Sequence, residues 1–176
     1  MSVLQAQPLV SDIVLREAMR NSASGVAIVT TDGPAGRMGV TVSSFCSLSL
    51  SPPSVLVCVH EGSRALPAII ENGLFAVSLL SDDEEAVARA FAGQIPEFRD
   101  NKFAATTWQK ACTGAPITEN AHAGFDCRLS RQITFGTHAI LIGEVLATVA
   151  RPKQPLVYYN QGFHRATPLA VEGGIQ

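Results

Sequence analysis

The stretch RMGVTVSSFCSLSLSPPSVLVCVH, residues 37–60, predicts two extended segments on either side of a corner at Pro52-Pro53. Successive side chains of a strand point to opposite faces of a sheet, so the first segment divides into two sets. One face carries hydroxyl groups and an aromatic ring, at Thr41, Ser43, Phe45, Ser47 and Ser49. The other face is apolar and is predicted to be core, at Val40, Val42, Cys46, Leu48 and Leu50.

The hydroxyl face has two interpretations. It is small, polar and rich in hydrogen-bond donors, so a planar ring with a polar edge can lie on it. It is also compatible with a sheet face turned to water, where Ser and Thr are ordinary residents. These residues by themselves leave both interpretations open.

Length and composition favour a single domain that oligomerises. The chain has 176 residues, so one domain over 1–176, with its core at about 12–165, is expected. Charged residues make up 16% of the chain, against about 25% in an average soluble domain. A small domain with so few charges hides more surface than one subunit covers, which favours a homo-oligomer.

Charge, cysteine usage and hydropathy argue against several classes of protein. The formal net charge is −2 and Lys and Arg form no cluster, so no nucleic-acid partner is expected. No apolar run approaches the roughly 18 residues that cross a bilayer, and the first residues do not resemble a signal peptide. We therefore expect a cytoplasmic protein without a membrane partner. The four cysteines and four histidines lack the spacing of a disulfide framework or a metal site, so no metal is expected.

The predicted elements are mostly strands. Runs rich in β-branched and apolar residues predict strands over 25–31, 54–60, 74–80, 125–136, 139–150 and 155–164. Capping residues predict helices over 13–23, 63–72 and 81–91. Ile13, Ala18 and Met19 are expected to face inward from the first helix, and 92–119 is expected to be an irregular connection. Because most strands are neighbours in sequence, the fold class is mainly β with α, an antiparallel barrel or sandwich with helices packed on it.

Several common catalytic patterns are absent from the sequence. Gly33, Gly36 and Gly39 match neither a dinucleotide fingerprint nor a phosphate-binding loop. No nucleophile elbow, metalloprotease motif or carboxylate pair occurs. Hydride transfer between a nicotinamide and a flavin needs no protein nucleophile, because the two cofactors carry the reaction. The protein must then hold two flat rings with the reacting atoms about 3–3.5 Å apart, which the composition permits.

Five segments carry a family resemblance. They are GVAIVTT (25–31), MGVTVSSFCSLSLSPPSVLVCV (38–59), FAVSLLSDDEEAVARAFAG (75–93), GTHAILIGEV (136–145) and PLVYY (155–159). Together they resemble the short-chain flavin reductases, the reductase components of two-component flavin-dependent monooxygenases, over about residues 14–165. The GTH at 136–138, where many relatives have GDH, is similar to the reductase of 4-hydroxyphenylacetate 3-monooxygenase and to the pyrimidine-degradation reductase.

The resemblance implies a fold, an activity and partners. The fold is an FMN-binding split barrel, an antiparallel Greek-key β-barrel with flanking helices, which forms a homodimer. The activity is that of an NAD(P)H-dependent flavin reductase (EC 1.5.1.-), in which NADH or NADPH reduces FMN or FAD by hydride transfer. The reduced flavin then passes to a separate monooxygenase component.

The resemblance also implies which residues bind the cofactors. The isoalloxazine and ribityl chain are expected against Thr41, Val42, Ser43 and Ser44. The phosphate-side loop is expected at Val59, His60, Ser63 and Arg64, with His60 in place of a common Asn. A strip near the flavin is expected at Phe91, Ala92 and Gly93, with Tyr158 as a further candidate. From the residues alone, Arg64 is equally compatible with a solvated cation at the start of a helix.

His138 is the catalytic candidate. It resembles the histidine placed beside the nicotinamide, where an imidazole can orient the ring or bond its carboxamide. Without its flanking residues, a histidine in the predicted hairpin turn Thr137-His138 is more often a surface residue, and the matching flanks favour the binding role. Two other functions fit a flavin-binding barrel: a carrier or sensor without reductase activity, and an oxidase similar to the pyridoxamine-phosphate oxidases. The second would need more basic residues near the motif than the sequence offers.

Overall fold

A computed structural model describes residues 8–169 of the chain. The helices are α1 Asp12–Met19, α2 Ala65–Asn72 and α3 Glu85–Phe91. The strands are β1 Ser24–Gly25, β2 Ala27–Thr31, β3 Met38–Val42, β4 Cys46–Leu50, β5 Pro53–His60, β6 Leu74–Leu79, β7 Trp108–Lys110, β8 Pro116–Thr118, β9 Ala123–Phe135, β10 His138–Ala150, β11 Leu156–Tyr159 and β12 Gly162–Arg165. Within 8–169, no helix has the length and apolar character needed to span a membrane.

A seven-stranded antiparallel sheet forms the body of the molecule, in the order β3-β2-β6-β9-β10-β5-β4. The edge strand β3 also contacts β5, which is next to the opposite edge, so the sheet curls into a barrel. β1, β11 and β12 form a separate three-stranded sheet, and β7 pairs with β8. The predicted class, an antiparallel barrel with helices packed on it, is confirmed.

Strand β2 is buried on both faces, as its run of β-branched residues predicts. Val29 points into the barrel, where it packs with Val57, Phe75 and Leu141 in one core cluster. Ile28 points outward into a second cluster beneath α3. The second cluster fixes α3 against the barrel, and the end of α3 reaches the candidate site described below.

Helix α3 begins later than the capping pattern predicts. Glu84 is 2% exposed, and its carboxylate accepts hydrogen bonds from the backbone N–H of Ser81 at 3.0 Å and from the Thr118 hydroxyl at 2.7 Å. The carboxylate therefore joins the end of β6 to β8 as well as bonding back to Ser81. The helix begins at Glu85 and not at Ser81, because residues 81–84 form the turn that this buried carboxylate holds.

The opening stretch forms three strands and not the two segments predicted. The Pro52-Pro53 corner is confirmed, but the chain leaves extended pairing between Val42 and Cys46. The alternation rule holds only along an unbroken strand, so the predicted core face is wrong beyond this break. Val40 and Val42 pack against the core, whereas Cys46 is exposed and Leu50 is 94% exposed.

Two other predicted elements differ from the structure. The expectation that Ile13, Ala18 and Met19 face inward is wrong, since no residue of α1 is buried and Ile13 is 73% exposed. An amphipathic pattern reveals an apolar face and not what covers it. The predicted strand over 155–164 is the hairpin of β11 and β12, because Asn160 and Gln161 both have positive φ, as a two-residue hairpin turn requires.

The other predicted elements are confirmed with small shifts. His138 is the first residue of β10 and not part of the turn, which consists of Gly136 and Thr137. Helix α2 ends at Gly73, whose φ of 67° closes the helix in the left-handed conformation. The segment 92–119 is mostly a connection, as expected, but it contains two 3-10 turns and the β7–β8 hairpin. The tail predicted to be loosely held lies, from residue 170 onward, outside the described residues.

Candidate functional site

A cavity of about 720 Å³ opens where five parts of the chain meet. They are the start of β3, the end of β5, the start of α2, the end of α3 and the first part of the long connection. The lining residues are Arg37, Met38, Gly39, Val40, Thr41, His60, Gly62, Ser63, Arg64, Ala65, Phe91, Ala92, Arg99, Asp100, Asn101, Lys102 and Phe103. Its volume lies within the range of small-molecule sites in proteins.

Positive charge dominates the cavity lining. Four cations line it, namely Arg37, Arg64, Arg99 and Lys102, against a single carboxylate at Asp100. Over residues 8–169, none of these four cations has a carboxylate oxygen within 4.0 Å, whereas seven ion pairs form elsewhere in the same range. Unpaired cations that converge on one cavity favour an anionic ligand.

Lys102 and Arg64 approach the cavity from different parts of the chain. The Lys102 ammonium donates to the carbonyl oxygen of Phe91 at 2.8 Å, which holds it beside the end of α3. Burial lowers the pKa of Lys102, and the positive charge of Arg64 lowers the same pKa further. A lysine in this position keeps two of its three N–H donors for a ligand. A phosphate that contacts both cations relieves their mutual repulsion.

Phe91 of α3 and Phe103 of the long connection line one side of the cavity and, with Trp108 packed against both, form an aromatic wall. Phe91 contacts Phe103 edge-on, with ring centroids 5.1 Å apart, and Trp108 at 5.5 Å. The guanidinium of Arg37 lies over the Phe103 ring, 4.1 Å from its centroid. The stacking orients Arg37 without a carboxylate partner. Phe91 was predicted as a site residue, but Phe103, Trp108 and three of the cations were not, namely Arg37, Arg99 and Lys102. The two cations within 99–102 are the local signal that could have indicated them.

Gly39 lets strand β3 pass directly beneath the aromatic wall. A Cβ atom at this position would lie 2.6 Å from Cε1 of Phe91 and 3.2 Å from the carbonyl oxygen of Val29. A glycine is therefore required for close packing of β3 against Phe91.

The hydroxyl-rich stretch contributes less to the cavity than its composition suggests. Thr41 lines the cavity, but its hydroxyl donates to the carbonyl oxygen of Ala88 in α3 at 2.7 Å. The Ser44 hydroxyl is bonded to both the N–H and the carbonyl oxygen of Cys58, each at 2.9 Å. Val42, Ser43 and Ser44 follow Thr41 but are not among the lining residues. Their contact with a flavin ring stays a prediction.

The predicted phosphate-side loop does come together at the cavity. His60, Ser63 and Arg64 all line it, while Val59 is buried in the barrel core. The Ser63 hydroxyl accepts from the backbone N–H of Ala65 at 3.3 Å, at the first turn of α2. The loop therefore presents a cation next to the positive end of a helix dipole, an arrangement suited to phosphate.

The remaining predicted binding residues divide into two groups. Phe91 and Ala92 line the cavity, and Gly93 follows them directly at the end of α3. Tyr158 lies elsewhere, on β11 in the three-stranded sheet, with its ring against Phe163. It lines a separate depression of about 400 Å³. The structure therefore does not bring Tyr158 together with the other candidates.

His138 lies beside the cavity, next to His60. The two residues are directly paired across β10 and β5, with ring centroids 5.2 Å apart and ring planes at 88°. The backbone N–H of Gly62 donates to Nδ1 of His60 at 2.9 Å. Nδ1 of His138 lies 2.9 Å from the hydroxyl oxygen of Thr137. Each ring is thus anchored through Nδ1. The role of His138 in catalysis stays a prediction.

The residues present fit a phosphate-bearing flavin. The four cations suit its phosphate, and the aromatic wall with the apolar residues Met38, Gly39 and Val40 of β3 suits a flat ring system. Thr41, Arg64 and Lys102 lie on different elements around one cavity, so a ligand with a ring at one end and a phosphate at the other can contact all of them.

Comparison with known proteins agrees with this geometry. The flavin reductase like domain matches residues 19–167. An FMN reductase (NADH) RutF from Enterobacter cloacae is 41% identical over 150 residues, which cover 85% of this chain and 90% of the relative. The NADH:FAD oxidoreductase SgcE6 of Streptomyces globisporus, solved with NAD and FAD fragments, is 32% identical with a TM-score of 0.83, covering 93% of this chain and 99% of that one.

A further solved structure is BorF, the flavin reductase component of a bacterial two-component tryptophan halogenase. It is 32% identical with a TM-score of 0.79, and the match covers 90% of this chain and all of BorF. These likenesses confirm the split-barrel fold that the resemblance implied. The chain belongs to the flavin reductase like domain family.

Proposed function

We propose that the protein is an NADH-dependent flavin reductase that reduces FMN by hydride transfer and releases the reduced flavin to a separate monooxygenase component. The single observation that carries this function is the cavity, with its aromatic wall and its four cations, which have no carboxylate partner within residues 8–169. Relatives 38–41% identical are named FMN reductase (NADH), which favours FMN and NADH over FAD and NADPH as the first pair to test.

The residues of the chain supply binding and orientation. When bound, the nicotinamide gives a hydride to the flavin, and this chemistry belongs to the cofactors. Arg64 and Lys102 hold the flavin phosphate, while Phe91 and the backbone of β3 bound the ring. His138 orients the nicotinamide from the start of β10. Because no side chain has to form a covalent bond, placement is the main contribution of the protein.

The first experiment is a flavin-dependent NADH oxidation assay. Purified protein is mixed with NADH and FMN, and the absorbance of the reduced nicotinamide is followed. We expect NADH loss to require both protein and FMN. Tight FMN binding without NADH loss would instead indicate a carrier or sensor, and no effect of FMN on either measurement would contradict both functions.

We also propose that the protein is a homodimer in which the exposed strand β4 lies against a second copy. β4 is an edge strand with no charged residue, and Leu50 and Leu48 are 94% and 46% exposed in the single chain. Edge strands of stable monomers are usually protected by charge, proline or a covering element. The low charged fraction of 16% supports a covered surface of this kind.

Cysteine alkylation tests the dimer, because the same chain carries both the thiol at the proposed interface and a control thiol. Cys46 on β4 and Cys112 on the long connection are both exposed in the single chain. We expect Cys46 to react at least about tenfold more slowly than Cys112 at concentrations that favour a dimer, because the second copy covers β4. Leu50→Lys should abolish the protection of Cys46, and the molar mass of this variant measured by light scattering should be that of a monomer. Equal reactivity of the two thiols in the unmodified protein would contradict an interface at β4.

The partner and compartment follow from the same function. BorF is the reductase component of a two-component system, which supports a separate oxygenase as the acceptor of reduced flavin here. We propose a cytoplasmic location, where NADH is made and used. The four cysteines are free thiols, as is usual in that reducing compartment.

A further inference from the structure

Two of the four cations in the cavity are not needed for the flavin phosphate. A phosphate monoester carries a charge of about −1.5 to −2 at neutral pH, which Arg64 and Lys102 together balance. Arg37 and Arg99 line the same cavity, and neither has a carboxylate partner in the described part of the chain, 8–169. The cavity can therefore hold a further anionic group beside the flavin phosphate.

Arg37 and Phe103 form a flat platform in this cavity. The guanidinium carbon of Arg37 lies 4.1 Å from the centroid of the Phe103 ring and 5.7 Å from that of Trp108. Arg37 is exposed and lines the cavity, so the guanidinium face away from Phe103 is open to a ligand. Guanidinium planes and aromatic rings are the groups on which proteins stack nucleobases. The platform therefore suits a base.

Two polar side chains of the long connection line the cavity close to this platform. Asp100 and Asn101 are both exposed and shortly precede Phe103. Neither side chain bonds to another group among residues 8–169, and the backbone carbonyl oxygen of Asn101 accepts from the N–H of Ala104 at 3.2 Å. Adenine presents an amino group beside a ring nitrogen, and the carboxamide of an asparagine can bond to both at once. A carboxylate only accepts, so Asp100 favours the amino group of adenine over the carbonyl oxygen of hypoxanthine.

We propose that Arg37 and Phe103 stack on the adenine of an ADP group, that Asn101 bonds to the edge of the same base, and that Arg99 contacts the diphosphate. This inference rests on the proposed reductase function, because NADH and FAD, which a flavin reductase can take, both contain an ADP group. Phe103 directly follows Lys102, so the base and the flavin phosphate lie in neighbouring parts of the cavity.

Calorimetric titration of the purified protein with ADP tests the subsite without flavin and without turnover. For Arg37→Ala, we expect the dissociation constant of ADP to rise by about tenfold, because the base loses its stacking partner. For Asn101→Ala, the preference for ADP over IDP, whose base has a carbonyl oxygen in place of the amino group, should fall by about tenfold. The same preference should be unchanged in Arg37→Ala, because both bases lose the same stacking contact.

Two pairs of ligands then identify which molecule supplies the ADP group. FAD and FMN are compared by their dissociation constants, and NADH and reduced nicotinamide mononucleotide by kcat/KM with FMN as the acceptor. If the dinucleotide occupies the subsite, Arg37→Ala lowers the preference for NADH over the mononucleotide by about tenfold and leaves the ratio of FAD to FMN affinity unchanged. The reverse result identifies FAD as the source.

Arg89 provides a matched control, because its guanidinium also lies over a phenylalanine ring, 4.9 Å from the centroid of Phe163, and is not part of the cavity lining. Arg89→Ala should change none of these values. The subsite is overturned if the unmodified protein does not bind ADP, if Arg37→Ala binds ADP equally well, or if Arg37→Ala changes neither ligand ratio. If ADP binds as expected but NADH is not oxidised in the presence of FMN or FAD, the proposed function fails instead.

Discussion

Lys102→Met is expected to weaken FMN binding by about 10- to 100-fold and to leave riboflavin binding nearly unchanged. Riboflavin has the same ring and ribityl chain as FMN but no phosphate. A charge-assisted hydrogen bond contributes roughly 1.5–3 kcal/mol. Without the ammonium there is also no repulsion between Lys102 and Arg64 for the phosphate to relieve. Dissociation constants from flavin fluorescence quenching measure both ligands under the same conditions.

A matched control separates the site from the general effect of removing a positive charge. Lys110→Met removes an exposed lysine of β7, within the long connection, that pairs with Asp32. It should alter neither dissociation constant. Arg64→Met should resemble Lys102→Met, and the double variant should lose less than the product of the two single effects, because both cations contact one phosphate. An equal loss of FMN and riboflavin affinity in Lys102→Met would show that the lysine supports the structure of the cavity and not phosphate binding.

Glu84→Ala is expected to lower the free energy of unfolding by about 3 kcal/mol. The substitution leaves the Ser81 N–H without its acceptor inside the protein, frees the Thr118 hydroxyl and empties a buried volume. For a chain of 176 residues this corresponds to a fall in Tm of about 6–12 °C. Urea denaturation followed by fluorescence of Trp108, next to Phe91, measures the change close to the site.

The adjacent residue provides the comparison. Glu85→Ala removes a half-exposed carboxylate whose partner is Arg89 one turn later in α3, and such a pair contributes only about 0.3–0.5 kcal/mol. A stability loss in Glu84→Ala no larger than that of Glu85→Ala would contradict a holding role for the buried carboxylate. Because α3 carries Phe91 and Ala92 into the cavity, we also expect weaker FMN binding in Glu84→Ala.

Local sequence signals predicted the elements whose own residues carry a clear β-branched, apolar or capping pattern. The β-branched run of β2 and the apolar runs of β5, β6, β9 and β10 lie in the barrel as predicted. Helix α2 has Ser63 shortly before it, whose hydroxyl accepts from the backbone N–H of Ala65, and Gly73 after it, and both signals are local. The antiparallel class followed because these strands are neighbours in sequence.

The signals failed where a strand breaks without a local marker and where the partner of a segment lies far along the chain. Leu48 and Leu50 have the spacing of a core face, but the spacing alone does not reveal the break at residues 43–45. Phe103 and Trp108 lie in a stretch without periodicity, so their packing against Phe91 is a tertiary contact that no local pattern encodes.

The sequence predicted the site residues that lie in motifs shared with the family and did not predict those that lie outside them. Ser63, Arg64, Phe91 and Ala92 came from matched motifs, and the structure places all four around one cavity. Arg37 and Lys102 belong to no matched motif. They form part of a binding site only because the fold brings β3, α2 and the long connection together around one cavity.

The order of strands in the large sheet determines when this cavity can exist. β5 pairs with β4 and with β10, and β10 begins only at His138. A nascent chain that ends before β10 has β5 paired with β4 alone, so β5 and its His60 are not yet joined through the sheet to β2 and β3. Contacts between distant parts of a chain slow folding, to milliseconds or seconds for β-rich domains of this kind. Flavin capture is consequently a late event in biogenesis, and free FMN in the cell stabilises only chains whose synthesis has passed that point.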